Sequence, residues 1–370
     1  MFQLGEPLRL DADDWPTEGG SAARANATDQ TLRPPLEEAW SYDADAAFGP
    51  AAAVVADGVV IVVTRKGEVR GIDLEDGRKR SVGDLREPIE GAPVLTKRMI
   101  YAPVAAGKHT LVAHDFVDGR RVWALRLGPH QAGLLLEGGT LVAAGMDGTV
   151  RALDPADGAT RWEATPDSTA GFFATPVALD ASTIAVADDE GRVTALDLAT
   201  GTTRWTHTLG APSYETPAFH DGRLFVPTTR GRLWALDAAT GAEVWTADVE
   251  NDGVRMSPPA VAGDRVFVGA SDGRLRALDA STGDVVWSFR SDGNFASAPL
   301  VAGDVVYAGA LDATLYAFDR ATGEVLWQHA FDGRIKSAPV LHDGRLIVLA
   351  EPRHVFAFRP VSPMAATDLE

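Results

Sequence analysis

One phrase constrains this chain more than any other: Asp-x-x-(Thr/Asp)-Gly, followed in six of its seven copies by Trp four residues later. The copies open at Asp73, Asp115, Asp154, Asp197, Asp237, Asp279 and Asp319. Their glycines, Gly77, Gly119, Gly158, Gly201, Gly241, Gly283 and Gly323, stand 42, 39, 43, 40, 42 and 40 residues apart. A sustained period near forty, with several short β-type runs inside each unit, predicts an all-β fold of the β-propeller type.

Residues 296–327 show one unit. Ser297 to Val301 reads as a short strand ended by Gly303-Asp304, and Val305 to Ala310 as a second, apolar strand. Thr314 to Asp319 is a third and Glu324 to His329 a fourth, with Asp312-Ala313 and Thr322-Gly323 turning the chain between them. Runs of four to six β-formers between Gly/Asp turns are the pattern of consecutive hairpins, so each unit predicts a four-stranded antiparallel blade.

Two further landmarks count the blades. A small-residue phrase for the innermost strand recurs eight times: Gly49-Pro50-Ala51, Gly91-Ala92-Pro93, Ala132-Gly133-Leu134, Ala174-Thr175-Pro176, Glu215-Thr216-Pro217, Ser257-Pro258-Pro259, Ser297-Ala298-Pro299 and Ser337-Ala338-Pro339. Proline is tolerated there because the innermost strand is an edge. The fourth-strand position also recurs eight times, as Trp40, Ser81, Trp123, Trp162, Trp205, Trp245, Trp287 and Trp327. Trp40 lacks three preceding strands and the last unit lacks a fourth. An eight-bladed ring closed by the N-terminal strand near Trp40, which completes the last blade, resolves both. The expected organisation is an N-terminal arm over residues 1–37 packing on the propeller, the propeller over 38–360 and a flexible tail over 361–370.

The phrase has a physical reading. Glycine supplies a positive φ, aspartate accepts hydrogen bonds from turn amides, and tryptophan offers a flat face to wedge between blades. Burying an indole of ~200 Å² at ~25 cal/mol/Å² is worth about 5 kcal/mol as an upper bound. Trp40, Trp123, Trp162, Trp205, Trp245, Trp287 and Trp327 are therefore read as structural docking residues.

Composition narrows function by exclusion. A net charge of −18 opposes a nucleic-acid surface. The chain has no cysteine, which removes disulfides, thiolate metal sites and cysteine nucleophiles. No apolar run is long enough for a transmembrane helix. Met1 to Glu6 carries neither the basic nor the apolar region of a signal peptide. The eight histidines stand singly, without metal-ligand spacing. Asp188-Asp189-Glu190 and the trio Asp11, Asp13 and Asp14 read as acidic turns rather than Ca²⁺ loops, and Asn26-Ala27-Thr28 is a formal glycosylation triplet.

The repeat Ala-x-Asp-x-x-Thr-Gly-x-x-x-Trp, most fully written at Ala277-Leu278-Asp279 to Trp287 and Ala235-Leu236-Asp237 to Trp245, resembles the pyrroloquinoline quinone (PQQ) repeat family. The segment Asp14-Trp15-Pro16 to Gly19-Gly20, with Arg24, resembles the lead-in of such proteins, and the likeness spans roughly residues 14–360. It implies a propeller that is either a quinoprotein dehydrogenase, with PQQ and Ca²⁺ over the channel, or a non-enzymatic member such as an eight-bladed outer-membrane assembly lipoprotein. The enzymes' longer chains, adjacent cysteines, calcium-binding Glu and Asn and catalytic Asp have no matching motifs here. No catalytic or metal residue is carried over, and no cofactor is expected.

In a propeller, the loops from strand four to the next strand one share a face with the loops joining strands two and three, opposite the tight Asp-x-x-Thr-Gly turns. That longer-looped face is the expected binding face. Its candidates are Phe172, Phe173, Tyr214, Glu215, Arg255, Asn294, Phe295, Arg334 and Lys336, aromatic and charged residues suited to gripping an acidic or extended peptide. Met256, Ile335, His130-Gln131, Arg65-Lys66, Lys108-His109, Arg230 and Arg353-His354 lie in the same loops. The expected function is a non-catalytic protein-binding or assembly scaffold, monomeric, and periplasmic, extracellular or cell-surface in its native form. A PQQ/Ca²⁺ dehydrogenase and a saccharide- or polymer-binding or lyase propeller are the alternatives.

Overall fold

In the computed structural model, residues 2–361 are described apart from 50, 86, 87, 90, 105–107, 167–169 and 249–253. The tail expected over 361–370 lies, beyond Val361, outside the described residues, as does Pro50 of the first inner-strand phrase.

Eight antiparallel sheets follow one another along the chain, and among the described residues all regular structure is strand. The seventh blade shows the build: Leu300–Ala302, Val305–Gly309, Thr314–Asp319 and Val325–Ala330 pair in chain order. The second strand is buried throughout, whereas the fourth alternates between partly buried and exposed. Middle strands are covered on both faces by neighbouring blades, so they read as continuous apolar runs. The outermost strand meets solvent and keeps the alternation of a half-buried strand.

The apolar core accordingly lies between blades. Phe267, Ala277 and Trp287 of the sixth blade share one cluster with Val301, Val306, Ala308 and Phe318 of the seventh. Six of the seven Asp-x-x-(Thr/Asp)-Gly turns add a polar latch to this contact. The turn glycine has φ between +67° and +80° at all seven positions, a conformation that glycine adopts without strain. Asp197 Oδ1 accepts the amides of Ala199 and Thr200 at 3.1 and 2.9 Å. The indole N–H of Trp162, from the preceding blade, then donates to the turn carbonyl of Leu198 at 2.9 Å. Trp40, Trp123, Trp205, Trp245 and Trp287 donate in the same way to Leu74, Pro155, Ala238, Ala280 and Arg320.

The ring closes through β2 (Leu36–Asp43), which follows the short β1 (Ala27–Thr28) and pairs antiparallel with His354–Pro360 of the last blade. Trp40 sits opposite Ala357, the fourth-strand position of that blade.

The segment before β2 does something the repeat pattern does not announce. Its start fills the one place where a tryptophan is missing. The first blade carries Ser81 there, and Ser81 Oγ accepts the backbone N–H of Gln3 at 3.1 Å. The Gln3 side chain covers Gly119 and donates to Val117 O at 3.1 Å, while Leu4 N–H donates to Phe116 O. Phe2, fully buried, lies against Gly71. The chain then crosses the ring on the tight-turn side. Ala22, Ala23, Ala25 and Asn26 offer backbone carbonyls to the inner strands of blades four to seven, at Ala178, Phe219, Val261 and Val301. β1 finally adds parallel to Leu300–Ala302 as a fifth strand.

Candidate functional site

The crossing segment turns the central channel into a blind well. Its floor is Glu18, Gly19, Arg24 and Asn26, and every blade contributes at least one wall residue, among them Ala51, Gly91, Gly133, Thr175, Thr216, Pro258, Ser297 and Ala338. The space above this floor is about 180 Å³. Small wall residues follow from crowding. A Cβ on Gly133 would stand 2.7 Å from Thr175 Oγ1, and one on Gly91 would stand 2.6 Å from the Pro103 ring.

The floor is tightly bonded. Arg24, 1% exposed, donates through Nη1 to Thr17 Oγ1 at 2.5 Å and to Glu18 O, and through Nη2 to Leu134 O at 2.6 Å. Burial lowers its guanidinium to about 10, against the opposing pull of Glu18. Burial pushes the Glu18 carboxyl up, and the charge of Arg24 and a bond from the Thr175 hydroxyl offset this in part. Asn26, 4% exposed, donates Nδ2 to Arg24 O at 3.1 Å and to Pro259 O at 3.2 Å. An asparagine so buried and so bonded is not a glycosylation acceptor.

The mouth opens on the face of the longer loops. It is lined by Gln131, Phe173, Tyr214, Glu215, Arg255, Ala296 and Lys336. Phe173 and Tyr214 meet edge to face with centroids 5.2 Å apart, and Tyr214 is 37% exposed. Burial raises the Glu215 carboxyl to about 7, with Arg255, 3.7 Å away, opposing and Glu18 adding to the shift. A third of the Glu215 side chain still meets solvent, so the group titrates from the mouth. Lys336 Nζ pairs with Glu351 at 2.9 Å, and Arg334 shares that carboxylate at 3.1 Å.

Of the candidates named from sequence, Phe173, Tyr214, Glu215, Arg255 and Lys336 therefore converge on one opening. Phe172 and Phe295 do not reach it. Phe172 is 2% exposed and bridges Asp188, and Phe295 is 1% exposed and lies over Gly269 beside Tyr316. Asn294 and Arg334 stand in the same loops but do not line the well. Alternation along extended backbone separates the two sets except in the sixth blade, where Arg255 lies two residues before its phrase and lines the mouth while Met256, just before the phrase, is buried. The residue just before the inner-strand phrase faces the channel in Gln131, Phe173, Tyr214, Ala296 and Lys336, and the residue before that is buried in Phe172, Phe295 and Ile335. Glu18 and Asn26 are members that sequence reasoning missed, because they lie in a non-repeating arm. The acidic hairpin at Asp188 is a turn: its Oδ1 accepts the amides of Glu190 and Arg192 at 3.0 and 2.8 Å. Among the described residues, no three His, Asp or Glu side chains group to hold a metal ion.

An eight-bladed ring with Trp-to-turn latches and a plugged channel defines the class: a PQQ-like repeat propeller. The family model described as outer membrane protein assembly factor BamB matches residues 33–170, 146–258, 230–330 and 297–362, and the chain belongs to that family. No curated protein matches the sequence. Among solved structures, BamB from Moraxella catarrhalis is 22% identical over 88% of this chain and 99% of its own, with a TM-score of 0.73. The quinohemoprotein alcohol dehydrogenase from Comamonas testosteroni is 18% identical over 97% and 84%, with a TM-score of 0.81. The computationally designed Ika8 protein is 17% identical over 89% and 99%, at 0.74. At these identities the likeness is one of fold, shared by a protein named for assembly, an enzyme and a design.

Proposed function

We propose that this propeller is a non-catalytic scaffold that binds a protein or peptide partner at the mouth of the central well, in an exported setting, as the family description of an outer-membrane assembly factor favours. The observation that carries the reading is the mouth itself. Tyr214, a large exposed aromatic, is propped edge-on by Phe173 beside Glu215 and Arg255, at the one place where all eight blades converge. An aromatic held in one orientation next to Arg, at the rim of a concavity, is the composition of a binding anchor.

The residues present do not suit a quinone cofactor. PQQ is a polycarboxylate, and here it would meet Glu18 and Glu215, whose own ionisation the well already disfavours. Of the cations lining the mouth, Lys336 is paired with Glu351 and Arg255 stands 3.7 Å from Glu215.

Placing a benzophenone-bearing phenylalanine analogue at position 214, and separately at Thr240 on the opposite face, tests the binding face in source cells under illumination. The scaffold reading expects discrete adducts from position 214 and none from 240. Adducts from 240 and none from 214 would overturn it.

A further inference from the structure

The outermost strand of a blade is an edge. Its outward N–H and C=O groups have no partner strand, and charged side chains commonly guard such rows. In this ring the guard stands at the two residues before the fourth-strand tryptophan position, where the strand shifts register. Six blades carry a charge there: Lys79 and Arg80, Arg121, Arg161, Arg204, Glu243 and Glu38. Arg80, Arg161 and Arg204 also fold back onto the aspartate of their own turn, at 2.9, 2.9 and 2.7 Å. Blades six and seven have Val285-Val286 and Val325-Leu326 instead.

Blade six is the barer of the two. Val285 is 56% and Val286 43% exposed, and among the described residues no other two adjacent large apolar residues are both exposed. Val325 of blade seven is partly buried against the core. No backbone bond from outside the sheet reaches the outer strand Val285–Arg290 among the described residues.

Both ends of this strand carry a charge with no ion-pair partner among the described residues. Arg290 stands directly opposite Arg274 in the sheet. The matching position of blade five sets Arg232 opposite Asp248, bonded at 2.5 and 2.9 Å. Like charges directly opposed repel, and a carboxylate brought from outside relieves them. Asp272, two residues from Arg274, is held by Arg276. At the other end the exposed Asp284 carboxylate accepts the Thr282 hydroxyl at 2.7 Å.

We propose that the outer strand of blade six pairs antiparallel with the same strand of a second copy of this chain, across a two-fold axis through Trp287. That register sets Asp284 opposite Arg290 of the copy and Val285 opposite its Phe289. The two-fold repeats each pair, so both unpaired charges are matched and both bare valine pairs are covered. Other outer strands do not suit the same pairing. In blade two it would set Arg120 against Arg126, and the strand of blade five carries acid at both ends, Glu243 and Asp248. The contact lies on the outer wall of the ring and leaves the mouth free, so it stands independently of the scaffold reading. It departs from the monomer expected from sequence. Each copy contributes six residues, at the small end of specific interfaces, so the dimer should form at roughly micromolar concentrations and above.

Sedimentation velocity of the purified protein from about 1 to 500 µM is the test. The expected result is a reversible monomer–dimer equilibrium. Val285→Lys guards the edge as other blades are guarded and should weaken the dimer at least about tenfold. Asp284→Arg and Arg290→Asp each set like charges across the axis and should weaken it about fivefold, whereas the double swap should recover it. Thermal melts confirm that the variants fold. A monomer at every concentration overturns the proposal, including the case in which only a strand of another protein pairs there. A dimer indifferent to Val285→Lys also overturns it, and a double swap that recovers nothing overturns the antiparallel register.

Discussion

Trp245 and Gly283 form a joint between two blades that neither residue makes alone. The indole N–H donates to Ala280 O at 2.9 Å, and a Cβ built on Gly283 would lie 2.6 Å from an indole carbon. Gly283 also has φ +80°, so alanine there meets both a strained backbone and the ring. Gly283→Ala is expected to cost about 1–3 kcal/mol as an overpacked site, and Trp245→Ala about 3–5 kcal/mol as a deleted buried aromatic. Because removing the indole relieves the clash, the double variant should cost less than the sum of the two. Urea unfolding of the three variants measures this, and strict additivity would contradict the joint.

The arm's substitute for the missing tryptophan predicts a change of sign. In the intact chain, Ser81→Trp sets an indole against Gln3, which already covers Gly119, and should destabilise. With residues 1–4 removed, Phe2 and Gln3 are gone and the same substitution should stabilise, its N–H reaching the carbonyl of Phe116 that Leu4 otherwise takes. Melting temperatures of the four proteins decide it, and the same sign in both backgrounds counts against the substitution by Gln3.

Closure by β2 predicts that deleting residues 38–43 weakens the whole ring. That strand carries Trp40, 7% exposed, and pairs with the last blade from Leu36 to Asp43. Losing several kcal/mol of packing should lower the melting temperature by on the order of 10 °C. An unchanged melting temperature would contradict closure.

The ring was legible because a turn that requires Gly with positive φ, an Asp to cap it and a Trp to wedge against the next turn must repeat in every blade. The closing strand was legible from the surplus Trp40 and the incomplete last unit. The well was not. Glu18, Arg24 and Asn26 are brought to the axis by carbonyls of residues 22–26 bonding to four inner strands, and backbone bonds leave no side-chain signature. The mouth residues were visible in kind but not in direction. Phe172 and Phe173 are adjacent and chemically alike, and only strand parity relative to the inner-strand phrase sends one between blades and the other to the channel.

Two sets of carboxyls pull the pH dependence of stability in opposite directions. The turn aspartates are held below the ordinary range. Asp197 is lowered to about 2 by hydrogen bonds from Arg204 and Thr200, and Asp237, Asp279 and Asp319 are lowered by their own turn donors. At Asp73 and Asp115, partial burial pushes upward but their bonds outweigh it. A depressed carboxyl binds its proton less readily in the folded state, so its contribution is full above about pH 4 and drains away toward pH 2. Glu215 is raised to about 7. It therefore removes stability as pH rises from about 4.3 toward 7. Glu215→Gln should flatten the melting temperature between pH 5 and 8 and leave the acid limb unchanged. Identical profiles for the two proteins would contradict the raised ionisation of this half-buried carboxyl.

A scaffold and a quinone-dependent oxidoreductase diverge most directly in a titration of the purified protein with PQQ and Ca²⁺, followed by tryptophan fluorescence and thermal melting. A well floored by Glu18 and walled by Glu215 predicts no saturable quenching and no rise in melting temperature. Saturable quenching with a rise, abolished by substitutions at the channel mouth, would contradict it and make the channel a cofactor site.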